Sequence, residues 1–164
     1  MLIMRTSLLS TEYKKKINEA IGYELDASNT YKHIANQLQG LGWFGSTAFF
    51  QKESKDELKH YQIWVDFVND RGDVADVPMV KAMKDAIPTL RSAFELYYTK
   101  EVTLGEFYND WYMDCDDATI HQQLLFFVET QRKSIGEAGD LLATLDRVMG
   151  NSAGELLFDQ QRGA

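Results

Sequence analysis

Three polar side chains interrupt the apolar stripes of two predicted helices, and together they could hold a metal ion. Glu24 lies on the first stripe, whereas Glu57 and His60 lie on the second. A glutamate and a histidine three residues apart lie one above the other on the same face of a helix. Burying an ionised carboxylate without a partner costs several kcal/mol, and no arginine or lysine falls on these stripes. The residue types therefore indicate a metal site.

A third stripe adds the carboxylate of Glu101 to this set. Taken singly, a glutamate at a core position can snorkel towards water, and a histidine is usually a hydrogen-bonded core residue. Together, three carboxylates and one imidazole form a hard, oxygen-rich ligand set that suits divalent iron or manganese, and two ions can share a bridging carboxylate. Zinc would more often recruit cysteine or additional histidine. The combined pattern predicts a di-metal site.

Five helices are predicted to position these side chains, and no strand-like alternation competes with the helical periodicity. The predicted helices cover Thr11–Gln39, Ser46–Asp70, Thr89–Met113, Ala118–Val148 and Ser152–Gln160. Residues 72–88 hold both prolines, and a connection of this length is typical of a crossover along a bundle. The sequence thus predicts an all-α four-helix bundle with one long crossover and a short fifth, C-terminal helix, in a single domain over residues 1–164.

The inward face of each long helix follows from steps of three and four residues. On the first and second helices the expected stripes are Ile17, Ile21, Glu24, Ser28, Tyr31, Ala35 and Leu38, then Phe50, Glu53, Glu57, His60, Trp64 and Phe67. On the third and fourth they are Leu90, Phe94, Tyr97, Glu101, Leu104, Tyr108 and Trp111, then Leu124, Val128, Gln131, Ile135, Ala138, Leu142 and Leu145. The first helix is expected to be followed by a break over residues 40–42, Gly40-Leu41-Gly42.

Composition and charge limit the classes of partner that the chain could bind and the compartment in which it would lie. It has 164 residues and a net charge of −8, which argues against nucleic acid, where a basic face supplies most of the affinity. Cys115 is the only cysteine, so an intrachain disulfide is excluded and a reducing compartment is favoured. There is no apolar run of transmembrane length, and residues 1–4 are too short an apolar stretch for a signal peptide. We expect a cytoplasmic protein without a membrane partner.

Three sequence motifs, in this order and register, resemble those of the ferritins. The segment from Tyr23 to Tyr31 is similar to the first-helix motif of that family, in which glutamate is followed by Ala-Ser and tyrosine. The segment from Phe49 to His60 matches the second-helix motif, and Leu156 to Asp159 resembles the terminal helix. The resemblance extends over nearly the whole chain, from Ile17 to Gln160.

The resemblance implies a role for each ligand in a di-iron centre. Glu24 would be a terminal ligand of the first iron, His60 its nitrogen ligand, and Glu57 the bridge between the two irons. Glu101 would hold the second iron, and Gln131 would lie at that second site, nearer a water than the metal. The family alignment from His60 to Glu101 has no gap.

The chain is about one helical turn shorter than the family between Glu101 and Gln131. An ungapped alignment backwards from Gln131 would place Tyr97 or Tyr98 at the position of the glutamate. Neither tyrosine can replace a hard carboxylate ligand, so the deletion is assigned to the corner between the third and fourth helices.

Four further residues have possible roles by the same resemblance. Tyr31 matches a tyrosine that lies beside the metal centre and could supply an electron or a hydrogen bond. Glu53 lies one turn before Glu57 and is a possible extra ligand, and Asp56 and Glu129 could recruit an iron in transit.

Departures from the family pattern limit the cofactors. Leu58 stands where the haem-binding relatives carry methionine, so no haem is implied. Thr130, Lys133 and Ser134 occupy the region in which bacterial ferritins carry the extra glutamates of a third iron site, so the resemblance does not supply the ligands of such a site and its presence stays open.

The function implied is that of a ferritin, which oxidises Fe(II) with O2 at an intra-subunit ferroxidase centre and stores ferric iron as mineral in a homo-oligomeric cage of 24 subunits. Two alternatives remain open: a storage shell without a working oxidation centre, and a ferritin-like di-metal oxidase acting on an organic substrate. Trp43, Phe44 and Phe49 suggest burial between subunits. Aspartates 114, 116 and 117 either cap the fourth helix or line a cation pore.

Overall fold

The structure, a computed structural model, describes residues 5–164 and contains no strand within that range. Residues 1–4, on which the absence of a signal peptide was argued, lie outside the described part of the chain. Five helices follow one another: α1 (Thr11–Leu41), α2 (Phe44–Asp70), α3 (Leu90–Asp114), α4 (Ala118–Val148) and α5 (Ser152–Arg162). Within residues 5–164, no helix combines the length and the apolar composition that crossing a bilayer requires.

The chain divides into two compact units. The first comprises the described residues up to Asn36 together with Thr47–Asp85, and it therefore holds most of α1, most of α2 and much of the crossover. The second comprises Gln37–Ser46 and Ala86–Ala164, which include α3, α4 and α5.

In the first unit, the predicted stripe of α1 is buried throughout, and α2 differs from prediction in detail. The half-buried side chains on α2 include Glu53, His60 and Phe67, whereas Ser54 and Val68 are buried. Because 3.6 residues make one turn, a stripe drawn in fixed steps of three and four drifts by one position along a helix of 27 residues. The prediction that Phe67 belongs to the core was therefore wrong by one residue.

Polar contacts tie the crossover to α1 within the first unit. Asp73 accepts hydrogen bonds from Lys14 Nζ and from Ser7 Oγ, both at 2.7 Å. Asn18 Nδ2 donates to the carboxylate of Asp76 at 2.8 Å. The crossover therefore follows α1 through fixed side-chain contacts, although it forms no regular secondary structure.

The corner between α1 and α2, in the second unit, departs from the sequence prediction. The break predicted over residues 40–42 is narrower than expected: α1 continues through Gly40 to Leu41 and ends before Gly42. The φ of Gly42, 85°, is in the left-handed region that glycine tolerates best. Helix α2 begins at Phe44 rather than at Ser46. Asp159 of α5 accepts hydrogen bonds from the backbone N–H groups of residues 45 and 46 at 3.0 and 2.7 Å, so a distant carboxylate caps the first turn of α2.

Helices α3 and α4 begin with clear caps. Thr89 forms a capping box with Ser92, and Asp117 accepts hydrogen bonds from the backbone N–H groups of residues 119 and 120. The capping interpretation is thus confirmed for Asp117, whereas a cation pore stays a prediction.

The buried stripe of α3 matches the prediction in full, whereas that of α4 is shifted in part. On α4 the predicted Val128, Ile135 and Leu142 are half-buried, and Phe127 and Leu141 are buried. The apolar face of α4 is wider than the single row that fixed spacing assumes, so neighbouring positions share the core.

Candidate metal centre

Glu24, Glu57 and His60 come together in the first unit. The Nδ1 atom of His60 lies 2.9 Å from Glu57 Oε2 and 3.6 Å from Glu24 Oε2. One ligand atom from each residue lies within 4.8 Å of the other two. Glu24 is 0% exposed, Glu57 is 3% exposed and His60 is half-buried. We call these three residues the triad.

The helices supply the triad as the spacing in the sequence predicts. Glu57 and His60 are three residues apart on α2, so they project from the same face, and Glu24 meets them from α1. The cluster is the one group of three or more potential metal-ligating side chains found among residues 5–164. Two carboxylates and an imidazole form a set that suits a divalent iron ion.

Burial and mutual contacts shift the ionisation of the triad. Burial raises the pKa of Glu57, and the neighbouring Glu24 carboxylate adds to the rise, so that the value reaches about 8 despite the opposing hydrogen bond from His60. For His60, burial acts to lower the pKa, but the hydrogen bonds with Glu24 and Glu57 outweigh it and raise the pKa to about 10. Both shifts favour the protonated forms of Glu57 and His60, so binding of a metal ion would be accompanied by the release of protons.

Glu101 and Gln131 form a separate pair in the second unit, between α3 and α4. Glu101 is 0% exposed and Gln131 is 2% exposed. Gln131 Nε2 donates to the Glu101 carboxylate at 2.8 Å and to the Glu101 backbone oxygen at 3.2 Å. Its amide oxygen is buried and accepts no hydrogen bond from the described residues. The amide therefore fixes the orientation of a buried carboxylate and keeps an acceptor oxygen beside it.

The remaining predicted residues lie outside the triad. Tyr31 is buried on α1, with its ring centroid 6.2 Å from that of Phe50. Glu53 is half-buried, and its carboxylate lies 3.4 Å from the ammonium of Lys52. Asp56 is bound on α2 by lysines 52 and 59, at 2.9 and 2.6 Å. Exposed Glu129 pairs with a neighbouring arginine at 2.7 Å. None of these carboxylates joins the ligand cluster of the triad.

The structure adds one feature that the sequence did not single out. The hydroxyl of Ser28 on α1 donates to the backbone oxygen of Ser54 on α2 at 2.8 Å. The predicted inward stripe of α1 includes Ser28, whereas Ser54 lies outside the predicted stripe of α2. The available signal was a small hydroxyl residue one turn from a predicted ligand on each of two neighbouring helices.

Known proteins similar to this chain share both its sequence pattern and its fold. A family model described as a ferritin-like domain matches residues 14–148. The chain is 29% identical over 157 residues to soma ferritin of Lymnaea stagnalis, covering 92% of this chain and 90% of that protein. It is 27% identical over 162 residues to a bacterial non-haem ferritin of Staphylococcus aureus, covering 96% of each.

Among solved structures, an open-pore ferritin of the archaeon Archaeoglobus fulgidus superposes with a TM-score of 0.91 at 21% identity, covering 94% of this chain and 96% of that one. This likeness confirms the predicted fold class, an all-α ferritin-like four-helix bundle with a long crossover and a short fifth helix. Ferritins as a family bind iron, and a possible metal site is present here in the triad. With a family model that matches most of its length, the chain belongs to the ferritin family.

Proposed function

We propose that this chain oxidises Fe(II) to Fe(III) with O2 at a ferroxidase centre and stores the ferric product as mineral inside a protein cage. The observation that carries the proposal is the buried triad, in which two carboxylates and an imidazole bring ligand atoms within 4.8 Å of one another. Such a cluster on a stable helical core is difficult to explain as packing, since buried carboxylates normally require a compensating partner.

The donor set of the triad fits Fe(II) as a substrate. Glu24 and Glu57 would supply hard oxygen ligands and His60 a nitrogen, and the carboxylates offset the charge of the bound ion. The helices preset these positions, so little reorganisation accompanies binding. As the family resemblance implies, Glu101 and Gln131 would form the second iron site, and Glu57 would bridge the two irons. Oxidation transfers one electron from each Fe(II) to O2.

Other parts of the proposal rest on family membership and surface chemistry. We assign the protein to the cytoplasm and to a homo-oligomeric cage of 24 subunits, without haem and without a nucleic-acid partner. Large apolar side chains that are exposed in the single chain support an oligomer. They include Phe44, Met79, Met113, Leu125 and Phe126, which are between 46% and 90% exposed.

Rapid mixing tests the proposed oxidation directly. The metal-free protein is loaded anaerobically with two Fe(II) per subunit and mixed with oxygenated buffer, and the ferric absorbance and O2 consumption are followed together. We expect fast oxidation in the native protein and slow oxidation in Glu57→Ala and His60→Ala. Asp66→Ala removes an exposed carboxylate from the same helix and should match the native protein. Equal slow rates in all four proteins would refute the ferroxidase centre and favour a passive mineralising shell.

A further inference from the structure

A hydrogen-bonded pair of buried serines joins α1 to α2 one helical turn from the triad. The Ser28 hydroxyl donates to the backbone oxygen of Ser54 at 2.8 Å and lies 3.0 Å from the Ser54 hydroxyl. Ser28 is 0% exposed and Ser54 is 1% exposed. A polar group buried to this extent is normally held by hydrogen bonds, so this contact fixes the two helices against each other.

A second contact of the same kind lies seven residues further along both helices. Thr47 Oγ1 on α2 donates to the backbone oxygen of Ala35 on α1 at 3.4 Å, and this contact is also buried. Between the two bridges the rings of Tyr31 and Phe50 meet at 6.2 Å. As the residue number rises by seven on α1, it falls by seven on α2. The two helices therefore run antiparallel in one constant register along this row of contacts, which we call the seam.

The serine bridge is the member of the seam nearest to the ligands. Ser28 follows Glu24 by four residues, and Ser54 precedes Glu57 by three, which corresponds to roughly 6 Å and 4.5 Å along the respective helix axes. A register slip of one residue would rotate a side chain by about 100° and turn Glu57 away from Glu24. Serine is also small enough to let two helix backbones approach closely.

We infer that Ser28 is a positioning residue for the triad: its hydroxyl holds α1 at the spacing and register on α2 that bring Glu24 to Glu57 and His60. This inference rests on the proposed function, since it concerns the same metal site. The backbone oxygen of Ser54 is present whatever side chain residue 54 carries, so Ser54→Ala removes the 3.0 Å contact between the two hydroxyls but keeps the hydrogen bond from Ser28 to the backbone. The two serines therefore play unequal roles, which makes the inference testable.

Titration with Co(II) alone, in the absence of iron and oxygen, measures the geometry of the site without relying on turnover. The visible d–d absorption of Co(II) reports both its affinity and its coordination geometry. We expect Ser28→Ala to fold, to bind Co(II) about tenfold more weakly than the native protein and to change the d–d spectrum, as is usual when a residue that supports a metal ligand is removed. Ser54→Ala retains the acceptor and should keep the native affinity and spectrum.

A second pair of variants covers the case in which Ser28→Ala fails to fold. Ser28→Thr keeps the hydroxyl and Ser28→Val has the same shape without it, so both introduce the same extra volume. The inference requires that the Thr variant bind Co(II) more tightly than the Val variant. Equal affinity in this pair, or native affinity and a native spectrum in Ser28→Ala, would overturn it.

Glu57→Ala separates failure of this inference from failure of the proposed function. If the native protein binds no Co(II), or if Glu57→Ala binds it as well as the native protein does, the triad is not a metal site and both proposals fail. If Glu57→Ala loses binding and Ser28→Ala does not, the metal site stands and only the positioning role of Ser28 is refuted.

Discussion

Replacing Glu57 by glutamine should change how the stability of the metal-free protein depends on pH. Burial and the Glu24 carboxylate raise the pKa of Glu57 from 4.5 to about 8, so the folded state keeps a proton that the unfolded state loses above pH 4.5. Stability from this group is therefore fully present below pH 4.5 and is lost as the pH rises towards 8. Glutamine is a neutral amide of nearly the same shape, so Glu57→Gln lacks this titration.

The size of the effect follows from the rise of the Glu57 pKa from 4.5 to about 8. One bound proton corresponds to about 1.4 kcal/mol per pH unit, so the Glu57 contribution should fall by about 2 kcal/mol between pH 5 and pH 6.5. His60 also has a raised pKa, from 6.5 to about 10, so its contribution to stability likewise falls as the pH rises, but mainly above pH 6.5. The interval from pH 5 to 6.5 therefore isolates Glu57 from its partner in the triad.

Urea unfolding with a chelator present measures this difference. The native protein and Glu57→Gln are compared at several pH values and at one protein concentration, because the stability of an oligomer depends on concentration. Between pH 5 and pH 6.5, we expect the unfolding free energy of the native protein to fall by about 2 kcal/mol relative to that of the variant. Parallel pH profiles would refute the argument, because they would mean that Glu57 titrates alike in the folded and unfolded states.

Three further predictions concern contacts away from the triad. The hydrogen bond from Lys14, with those from Ser7 and the backbone, lowers the pKa of Asp73 from 3.8 to about 2. The stability difference between the native protein and Asp73→Asn should therefore be constant above pH 4 and shrink as the pH falls towards 2. Thermal unfolding at a series of pH values measures this difference. Asp159→Ala removes the cap of α2 and should cost about 1–2 kcal/mol in urea unfolding, with faster amide exchange at residues 45 and 46; unchanged exchange would contradict the capping role. Gly45→Ala would place its Cβ against the backbone oxygen of Asp159, so α5 should detach and become sensitive to proteolysis. Resistance equal to that of the native protein would show that the contact can relax.

The sequence predicted the helices well because their signals are local. Periodic apolar residues defined α3 and its buried stripe, and Asp117 marked the start of α4. The start of α2 was missed because its cap is Asp159, which lies 114 residues away from Gly45 along the chain. No local pattern near Phe44 could have revealed that contact. This boundary was therefore missed because a tertiary contact, rather than helix propensity, decides where α2 begins.

The triad could be predicted because buried ionisable residues contradict the surrounding apolar pattern. Glu24 and Glu57 were expected on inward faces, and the structure places both in the interior beside His60. The contribution of Ser28 was not predictable in the same way. Serine at an inward position does not contradict packing, and two small hydroxyl residues on neighbouring helices do not reveal that the acceptor is the backbone oxygen of Ser54.

The ionisation of the triad explains how such a site can stay folded without its metal. An ionised Glu57 beside Glu24 would be costly in the interior, and the raised pKa values of Glu57 and His60 favour the protonated forms of both groups, which lowers that cost. The two protons therefore occupy the electrostatic role that a divalent ion would otherwise fill. Binding of the ion must release them, so metal affinity should rise with pH over the same interval in which the metal-free fold loses stability.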